Sequence, residues 1–445
     1  MMRTLAAVLL VALFPLPLVA QPPPIRLTLA DAIARGFDTS HRLAEVRARE
    51  QGALAAVRGA HLADRPIVTA SAGYLRTNHV TEFAFGQGSA RMVVYPDIPD
   101  NVVSRVSFQW PIYTSGRVDA LERAAAAEAQ AVGADIETTR ADLRLEIVRA
   151  YWAAATAREA VRVLEESTAR ADAQLRDARQ RFAVGLVPPN EVSSLEAQRS
   201  REQAQLIEAS NIRESTLVDL RRLIGADPET VIELADLLDQ AGASSASGAS
   251  GASGAGALVQ EALERRPERK ALNLRLDGVE ARQQAAMTAN KPIVAVGAGV
   301  DYANPNSRIF PRKGEWQESW DVSVNVSWAF LDFGRIKAQV AEVAATATAT
   351  RERIAEFDSV VAADIRQRLL DLDSSQAVVK AASDAVRSAA EARRVVGDRF
   401  AAGVATSTDV VVAQVAMLEA GLARTRSLAG VRLAEARLHR SLGRP

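Results

Sequence analysis

The segment Trp110-Pro-Ile-Tyr-Thr-Ser-Gly-Arg117 recurs as Trp328-Ala-Phe-Leu-Asp-Phe-Gly-Arg335, which begins 218 positions further along the chain (328 − 110). Two more segments recur at the same offset: Arg181-Phe-Ala-Val-Gly-Leu186 as Arg399-Phe-Ala-Ala-Gly-Val404, and Leu223-Ile-Gly225 as Ser441-Leu-Gly443. This repeat is far longer than the roughly 20–50 residues of solenoid repeats. The sequence therefore predicts two copies of one long structural hairpin.

The composition excludes several classes of function. The 445 residues include 54 basic and 54 acidic side chains, so the chain has no basic footprint for nucleic acid. It has no cysteine and four scattered histidines, which leave little material for a metal site. The sequence also contains no nucleophile–base set and no phosphate-binding loop. We therefore predict that the protein is not an enzyme and uses no metal or cofactor.

The chain divides into four segments. Residues 1–20 have the features of a secretory signal peptide, with Arg3 before a short apolar stretch and Ala20 at its end. Residues 21–240 and 257–445 are the two structural repeats, and the Gly/Ala/Ser tract at 241–256 is predicted to be a flexible linker. No later run approaches the about 18 apolar residues of a spanning helix. We expect an exported protein without a transmembrane helix.

Strand-like segments precede each recurring junction. From Val322 to Phe330, apolar side chains alternate with small or polar ones, and the same pattern follows Pro66 and Pro292 and runs from Arg105 to Ile112. A strand with one apolar and one polar face fits a half-buried soluble sheet or a membrane barrel with lipid outside and water inside. These four strands are the only ones expected, and the helices are too long to cover them, which favours the barrel.

Long helices follow the strands. Arg117–Phe182 and Arg335–Phe400 are each predicted to form one helix of 66 residues, about 100 Å long at 1.5 Å per residue. In the first of them, a seam from Leu143 to Phe182 advances by steps of four and three residues, the period at which helices pack side by side. Shorter helices are predicted before the strands, at Leu29–Asp64 and Leu258–Asn290.

Four strands from one chain cannot close a barrel, and an open sheet edge is not tolerated in lipid. Closure therefore requires several copies of the chain. Two copies would supply eight strands and three would supply twelve, and the strand pattern alone does not choose between them. The helices must continue from the barrel, because each strand pair joins them directly at Gly116-Arg117 and Gly334-Arg335.

In the order and spacing of these motifs, the chain resembles the TolC family of outer-membrane efflux proteins over about Leu27 to Gly443. The resemblance implies a mixed α/β membrane protein, built from a duplicated helix-strand-strand-long helix-helix unit. A homotrimer would form a 12-stranded β-barrel in outer-membrane lipid, continued by a periplasmic α-helical barrel. The implied function is a passive exit duct of a tripartite efflux or type I secretion system, docked to a periplasmic adaptor and an inner-membrane pump.

The resemblance also assigns roles to residues. The family's periplasmic tip, where adaptors dock, corresponds to the two glycine turns: Val184, Gly185, Leu186, Gly403 and Val404. Asp409 occupies the position that contributes, in the family, to a ring of carboxylates at the pore constriction. Its repeat equivalent, Glu191, is a second candidate for the constriction. The alternative for Asp409 is that it caps the helix beginning near Ser407, because Asp is common in a first turn.

Three positions depart from the family pattern. Val412 stands where the family has a second ring carboxylate. Phe400 and Ala405 stand where, in the family, a Tyr and an Arg help to latch the closed tip. If this pore closes, other contacts must hold it closed. Separately, Trp110 and Trp328 are expected to end the second strand of each pair. There they would form an interfacial aromatic girdle or serve as ordinary packing residues.

Two other functions compete with the exit duct. A periplasmic adaptor with a coiled-coil hairpin would need compact β-domains, whereas this sequence offers four strands in two separated pairs. A coiled-coil structural protein of the envelope would explain the helices and leave the two-faced strands unexplained. The cargo, whether drug, metal, solvent or protein, is not specified by the sequence.

Overall fold

The computed structural model describes residues 25–238 and 252–444. The predicted signal peptide and residues 241–251 of the predicted linker lie outside the described residues. The first repeat contains β1 (Ile25–Leu27), α1 (Leu29–Thr39), α2 (His41–His61), β2 (Ile67–Arg76), β3 (Phe83–Phe85), β4 (Met92–Tyr95), β5 (Asp100–Tyr113), α3 (Arg117–Ala183), α4 (Pro189–Leu223) and β6 (Ile232–Leu234). The second contains α5 (Ala252–Arg265), α6 (Pro267–Met287), β7 (Ile293–Asn304), β8 (Gln317–Ser327), α7 (Arg335–Ala401) and α8 (Ser407–Ser441).

The described chain forms two compact units, and each takes segments from both repeats. One unit, here called the coil unit, contains residues 25–40, 143–238 and 372–436. The other, the sheet unit, contains residues 41–142, 252–371 and 437–444. Each unit is described separately below.

The two long helices agree with the prediction to within one residue at each end, but the shorter helices do not. The predicted helix Leu29–Asp64 is broken at Ser40, and the predicted helix Leu258–Asn290 is broken at Arg266. Both residues have extended backbone, with ψ of 114° and 121°. In the second repeat the cause is Pro267, which cannot continue α5 but begins α6 well.

Glycines from the end of each repeat pack against these breaks. A Cβ on Gly225 would lie 2.6 Å from Cβ of Thr39 in the coil unit. A Cβ on Gly443 would lie 3.0 Å from the backbone of Arg265 in the sheet unit. Both glycines also have positive φ, of 62° and 67°. The Ile-Gly and Leu-Gly endings therefore close each repeat on its own first helix, where a side chain has no room.

Helix α5 also corrects the predicted linker, because Ala252 to Gly256 lie within this helix. Ala, Gly and Ser give no apolar periodicity, so the sequence pattern could not place its first turn. Within the described residues, no helix is long and apolar enough to cross a membrane.

The sheet unit contains one four-stranded antiparallel sheet with the order β2-β5-β7-β8. Its register aligns the alternating residues of all four strands on common faces. One row across the sheet is Ala70, Val106, Val300 and Trp320. The alternation predicted from the sequence is therefore present in the fold, and one side of the sheet, here called the apolar face, is continuous across four strands.

The strand predictions need two corrections. Strand β8 ends at Ser327 and does not reach Phe330. Ser327 pairs with Ile293, the first residue of β7, and the preceding Pro292 has no N–H to extend the ladder. The four long strands are also not the only ones. A parallel pair, β1 and β6, and an antiparallel pair, β3 and β4, have only three or four residues per strand, too few for a visible period.

The coil unit is held together along the predicted seam. Val161 and Leu164 of α3 form an apolar cluster with Ala209 of α4 and Leu418 of α8. A second cluster contains Leu175 and Ala178 of α3 with Leu195 of α4. The seam ends before its predicted last residue, because Phe182 is exposed. Side-by-side packing of long helices therefore replaces a globular core in this unit.

Candidate functional site

The two predicted turns are built in the same way in the coil unit. After α3, the N–H of Leu186 donates to the carbonyl of Arg181 at 2.9 Å, and the N–H of Gly185 donates to that of Phe182 at 2.9 Å. After α7, Val404 and Gly403 repeat this pattern with distances of 2.8 and 3.0 Å. This pair of hydrogen bonds is typical of a helix that ends at a residue of positive φ. The φ angle is 76° at Gly185 and 73° at Gly403.

The turns expose apolar side chains. Val184 is 71% exposed, Leu186 is 73% exposed and Val404 is 67% exposed. The adjacent glycines have open space around the position of a missing Cβ, so the backbone there is also accessible. Apolar side chains grouped on an exposed turn are a feature of surfaces that bind other proteins. Their role in adaptor docking stays a prediction.

Asp409 caps helix α8. Its carboxylate accepts hydrogen bonds from the N–H and the hydroxyl of Thr406, both at 2.8 Å, and its own N–H donates to that hydroxyl at 3.2 Å. These bonds hold the pKa of Asp409 below its ordinary value, because they favour the charged form. The capping alternative is therefore realised in the chain. Asp409 is also exposed, which leaves the carboxylate free to face a pore.

Glu191 has a different environment although it is the repeat equivalent of Asp409. Pro188 occupies the position that corresponds to Thr406, and it makes no side-chain cap for α4. The N–H of Glu191 donates to the carbonyl of Pro188 at 3.1 Å, and Glu191 is half-buried. The two candidate ring residues therefore differ in both capping and exposure.

The departures from the family pattern coincide with a contact that the sequence analysis missed. The guanidinium carbon of Arg181 lies 5.3 Å from the centre of the Phe400 ring, a cation–π geometry. The contact joins the ends of α3 and α7, beside the positions that lack the family's Tyr and Arg. A sequence signal was available, because an Arg-Phe pair precedes both turns. Val412 is exposed and contributes no charge.

In the sheet unit, the apolar face is the exposed one. Trp320 is 75% exposed and Val324 is 66% exposed, and neighbouring apolar side chains on this face are exposed as well. On the opposite side, here called the polar face, Asp301 and Ala303 are buried. A soluble sheet has the reverse arrangement, with its apolar side covered. The observed arrangement fits a sheet whose apolar face contacts lipid.

The polar face carries charges that the sequence analysis did not single out. Arg105 of β5 donates to both carboxylate oxygens of Asp301, at 2.9 and 2.7 Å, and to Asp321 at 2.9 Å. A Cβ on Gly299 would collide with the guanidinium of Arg105. Glycine at this strand position therefore lets Arg105 cross β7 to reach β8. Alternation predicted the face of each residue, but the ion pairs depend on the order of the strands.

The two tryptophans make equivalent contacts. Nε1 of Trp110 donates to the carbonyl of Asp64 at 3.0 Å, and Nε1 of Trp328 donates to that of Asn290 at 2.8 Å. Both side chains are exposed. Neither ends its strand as predicted: β5 continues beyond Trp110 to Tyr113, and Trp328 follows the last residue of β8. Their role in an aromatic girdle stays a prediction.

A duplicated strand–helix fold with an exposed apolar sheet defines the class of outer-membrane channels. A family model described as "Outer membrane efflux protein" matches residues 37–226 and 258–444, and the chain belongs to this family. As a member, it is an outer-membrane exit duct for an efflux system and extends into the periplasm. The family is a channel-forming class and not an enzyme class.

Individual relatives agree with this assignment. Protein CyaE of Bordetella pertussis is 29% identical over 238 residues, which cover 52% of this chain and 47% of that protein. Outer membrane protein TolC of Vibrio cholerae is 23% identical over 388 residues, which cover 86% of this chain and 83% of that protein. The match to the first relative thus spans about half of its length.

A solved structure shows the same fold. The outer membrane protein VceC of Vibrio cholerae matches with a TM-score of 0.76 at 19% identity, over 93% of this chain and 96% of that one. The predicted family, fold class and location are therefore confirmed. The competing adaptor and fibrous coiled-coil hypotheses lose their support, because neither accounts for the family match or for the four-stranded sheet.

Proposed function

We propose that three copies of this chain form a passive duct that docks to a periplasmic adaptor and an inner-membrane pump. The observation that carries the proposal is the sheet of the sheet unit, whose apolar face is exposed. Its outer strands, β2 and β8, each pair with a single neighbour in the described chain. Lipid would cover the apolar face, and strands from other copies would form hydrogen bonds with the two edges.

The number of copies follows from the family and from the strand count. An even division of a barrel into four-stranded sheets allows eight or twelve strands. The family to which the chain belongs acts as trimeric channels, so twelve strands are proposed here. The helices that leave the sheet at Gly116 and Gly334 would then continue the barrel, because only three residues separate β5 from α3 and seven separate β8 from α7.

The docking surface is proposed to be the pair of turns in the coil unit. Val184, Leu186 and Val404 are large apolar side chains held on well-defined turns, so an adaptor could cover them at small cost in conformational entropy. The carboxylate of Asp409 is proposed to line the constriction in three copies, while it also caps α8.

Crosslinking in the native cell tests the docking surface. A photoreactive amino acid at Leu186 or Val404 should capture a periplasmic protein with a coiled-coil hairpin, identified by mass spectrometry. Ile207, an exposed apolar residue of α4 outside the turns, is the matched control position. Equal capture of the same protein from Ile207 would show that the turns are not the docking surface.

A further inference from the structure

The loop between β7 and β8 is folded back against the sheet. Asn306 near its start is 2% exposed. The side-chain amide of Asn306 donates to the carbonyl of Gln317 and to the hydroxyl of Ser319, both at 3.0 Å. Its amide oxygen accepts the N–H of Arg308 at 3.0 Å. These bonds fix the direction in which the loop leaves β7.

Arg308 connects this loop to the polar face. Its guanidinium donates to Asp321 at 2.7 Å and lies 3.5 Å from a carboxylate oxygen of Asp301. Both carboxylates also contact Arg105, so the four side chains form one network of alternating charge.

A second attachment holds the end of the loop. Arg312 donates to the hydroxyl of Tyr95 at 3.0 Å and to the side-chain oxygen of Asn101 at 3.2 Å. Its guanidinium carbon also lies 5.3 Å from the centre of the Tyr95 ring. Tyr95 belongs to β4, in the connection between β2 and β5. The β7–β8 loop is therefore attached to the polar face at Arg308 and to the other loop at Arg312.

We propose that the β7–β8 loop narrows the extracellular exit of the duct and sets the largest solute that can leave it. This inference rests on the proposed function, in which the polar face lines the water-filled lumen of a trimeric barrel. Three loops, one from each copy, then lie over the lumen wall. Arg308 holds each loop inward, because its two carboxylate partners are on the lumen wall.

The size of the exit can be measured with neutral polymers. Purified trimers are placed in planar bilayers, and polyethylene glycols of increasing size are added on the extracellular side. Arg308→Ala should admit larger polymers from the extracellular side than the wild type, because release of the loop widens that entrance whatever the width of the tip. Arg308→Lys should stay close to the wild type, because a single nitrogen of Arg308 makes both carboxylate contacts and an ammonium group can replace it.

Two further variants separate loop release from a change of charge. Arg312→Ala frees the end of the loop and leaves the polar-face network intact, so it should also admit larger polymers, to a smaller extent. Arg76→Ala removes an arginine that pairs with Asp100 at the end of β2, and it should leave the polymer limit unchanged.

The outcomes are distinct. An unchanged polymer limit in both Arg308→Ala and Arg312→Ala, even with altered ion selectivity, would overturn the proposed constriction. If Arg308→Ala does not assemble, Arg312→Ala decides by the same readout. A wild-type protein that forms neither trimers nor pores would remove the proposed function itself, and with it this inference.

Discussion

Asp409 and Glu191 occupy equivalent positions of the two repeats, yet only the first is part of a capping box. Thr406 donates to the carboxylate of Asp409, whereas the equivalent Pro188 has no donor to offer Glu191. For Asp409, the family resemblance implied the ring and the position in a first helical turn implied the cap, as alternatives. An exposed carboxylate that caps a helix can do both, because the cap occupies one of its two oxygens.

Replacing either partner of the cap separates these roles. Asp409→Asn should weaken cation selectivity, because the negative field of a three-fold ring raises the local concentration of cations. Thr406→Ala should leave selectivity unchanged, because the carboxylate remains, although it removes the hydroxyl part of the same cap. Both variants should lower the thermal stability of the tip. Conductance and selectivity in planar bilayers at one salt concentration, together with thermal unfolding, measure the two effects.

Glu191→Gln is the internal comparison for this experiment. If it changes selectivity as Asp409→Asn does, the position faces the pore in both repeats. Loss of thermal stability in Asp409→Asn with unchanged selectivity would restrict Asp409 to its role as a helix cap.

The two faces of the sheet predict opposite responses to a charge. Arg at Val324, on the exposed apolar face, should cost roughly 2–4 kcal/mol if the residue lies near the bilayer midplane. Arg at the adjacent Ser323, on the polar face, should be tolerated because that side contacts water. The amount of assembled trimer in the outer-membrane fraction and its resistance to unfolding measure the difference. Equal defects in the two variants would remove the barrel interpretation.

At the scale of the element, strand periodicity and helix length were predictable from sequence, whereas element ends were not. Two-residue alternation continues through Trp328 and Phe330, but pairing stops at Ser327 because β7 begins at Ile293. The break at Arg266 had a visible cause in Pro267, and the equivalent break at Ser40 had none in the local sequence. That break lies beside Gly225, a contact from the far end of the repeat.

The same difference between local and distant contacts decided which functional residues the sequence could indicate. The turn residues were placed because glycine and its neighbours mark the end of a helix within a few positions. Arg105, Arg308 and the contact of Arg181 with Phe400 depend on residues distant in sequence. The loop of Arg308 also has no counterpart of equal length in the first repeat, so the duplication gave no guide to its course.

Three glycines should respond differently to substitution with alanine. Gly403→Ala should cost about 1–2 kcal/mol, because φ is positive there and the cost is purely conformational. Gly225→Ala should cost more, because its Cβ would also collide with Thr39. Gly397→Ala, in the exposed interior of α7, should stabilise by about 0.5–1 kcal/mol.

Thermal unfolding and hydrogen exchange of the adjacent helix ends give the order of the three glycine variants. A stabilising Gly403→Ala would contradict the positive φ of this turn, and a Gly225→Ala variant milder than Gly403→Ala would contradict the packing of Gly225 on the helix break.

At the scale of the whole molecule, one chain leaves an apolar face and two strand edges uncovered. The apolar face of the sheet is exposed, and β2 and β8 each have one unpaired edge in the described chain. Exposed edges and apolar faces are removed in soluble monomers by covering elements, and the sheet unit supplies none over its apolar face. We therefore expect the chain to reach its stable form only when lipid covers the apolar face and other copies pair with the two strand edges.

We expect a trimer to pair all of these strand edges. Protein extracted from the outer-membrane fraction in mild detergent should have a native mass of three chains, because three four-stranded sheets close a twelve-stranded barrel and leave no free edge. A native mass of two chains would give an eight-stranded barrel and would contradict the family's arrangement. A stable monomer in the soluble periplasmic fraction would contradict the barrel interpretation itself, because the apolar face would then be exposed to water. Val324→Arg gives the matched test: it should reduce the yield of the three-chain particle, while Ser323→Arg should leave that yield close to the wild type.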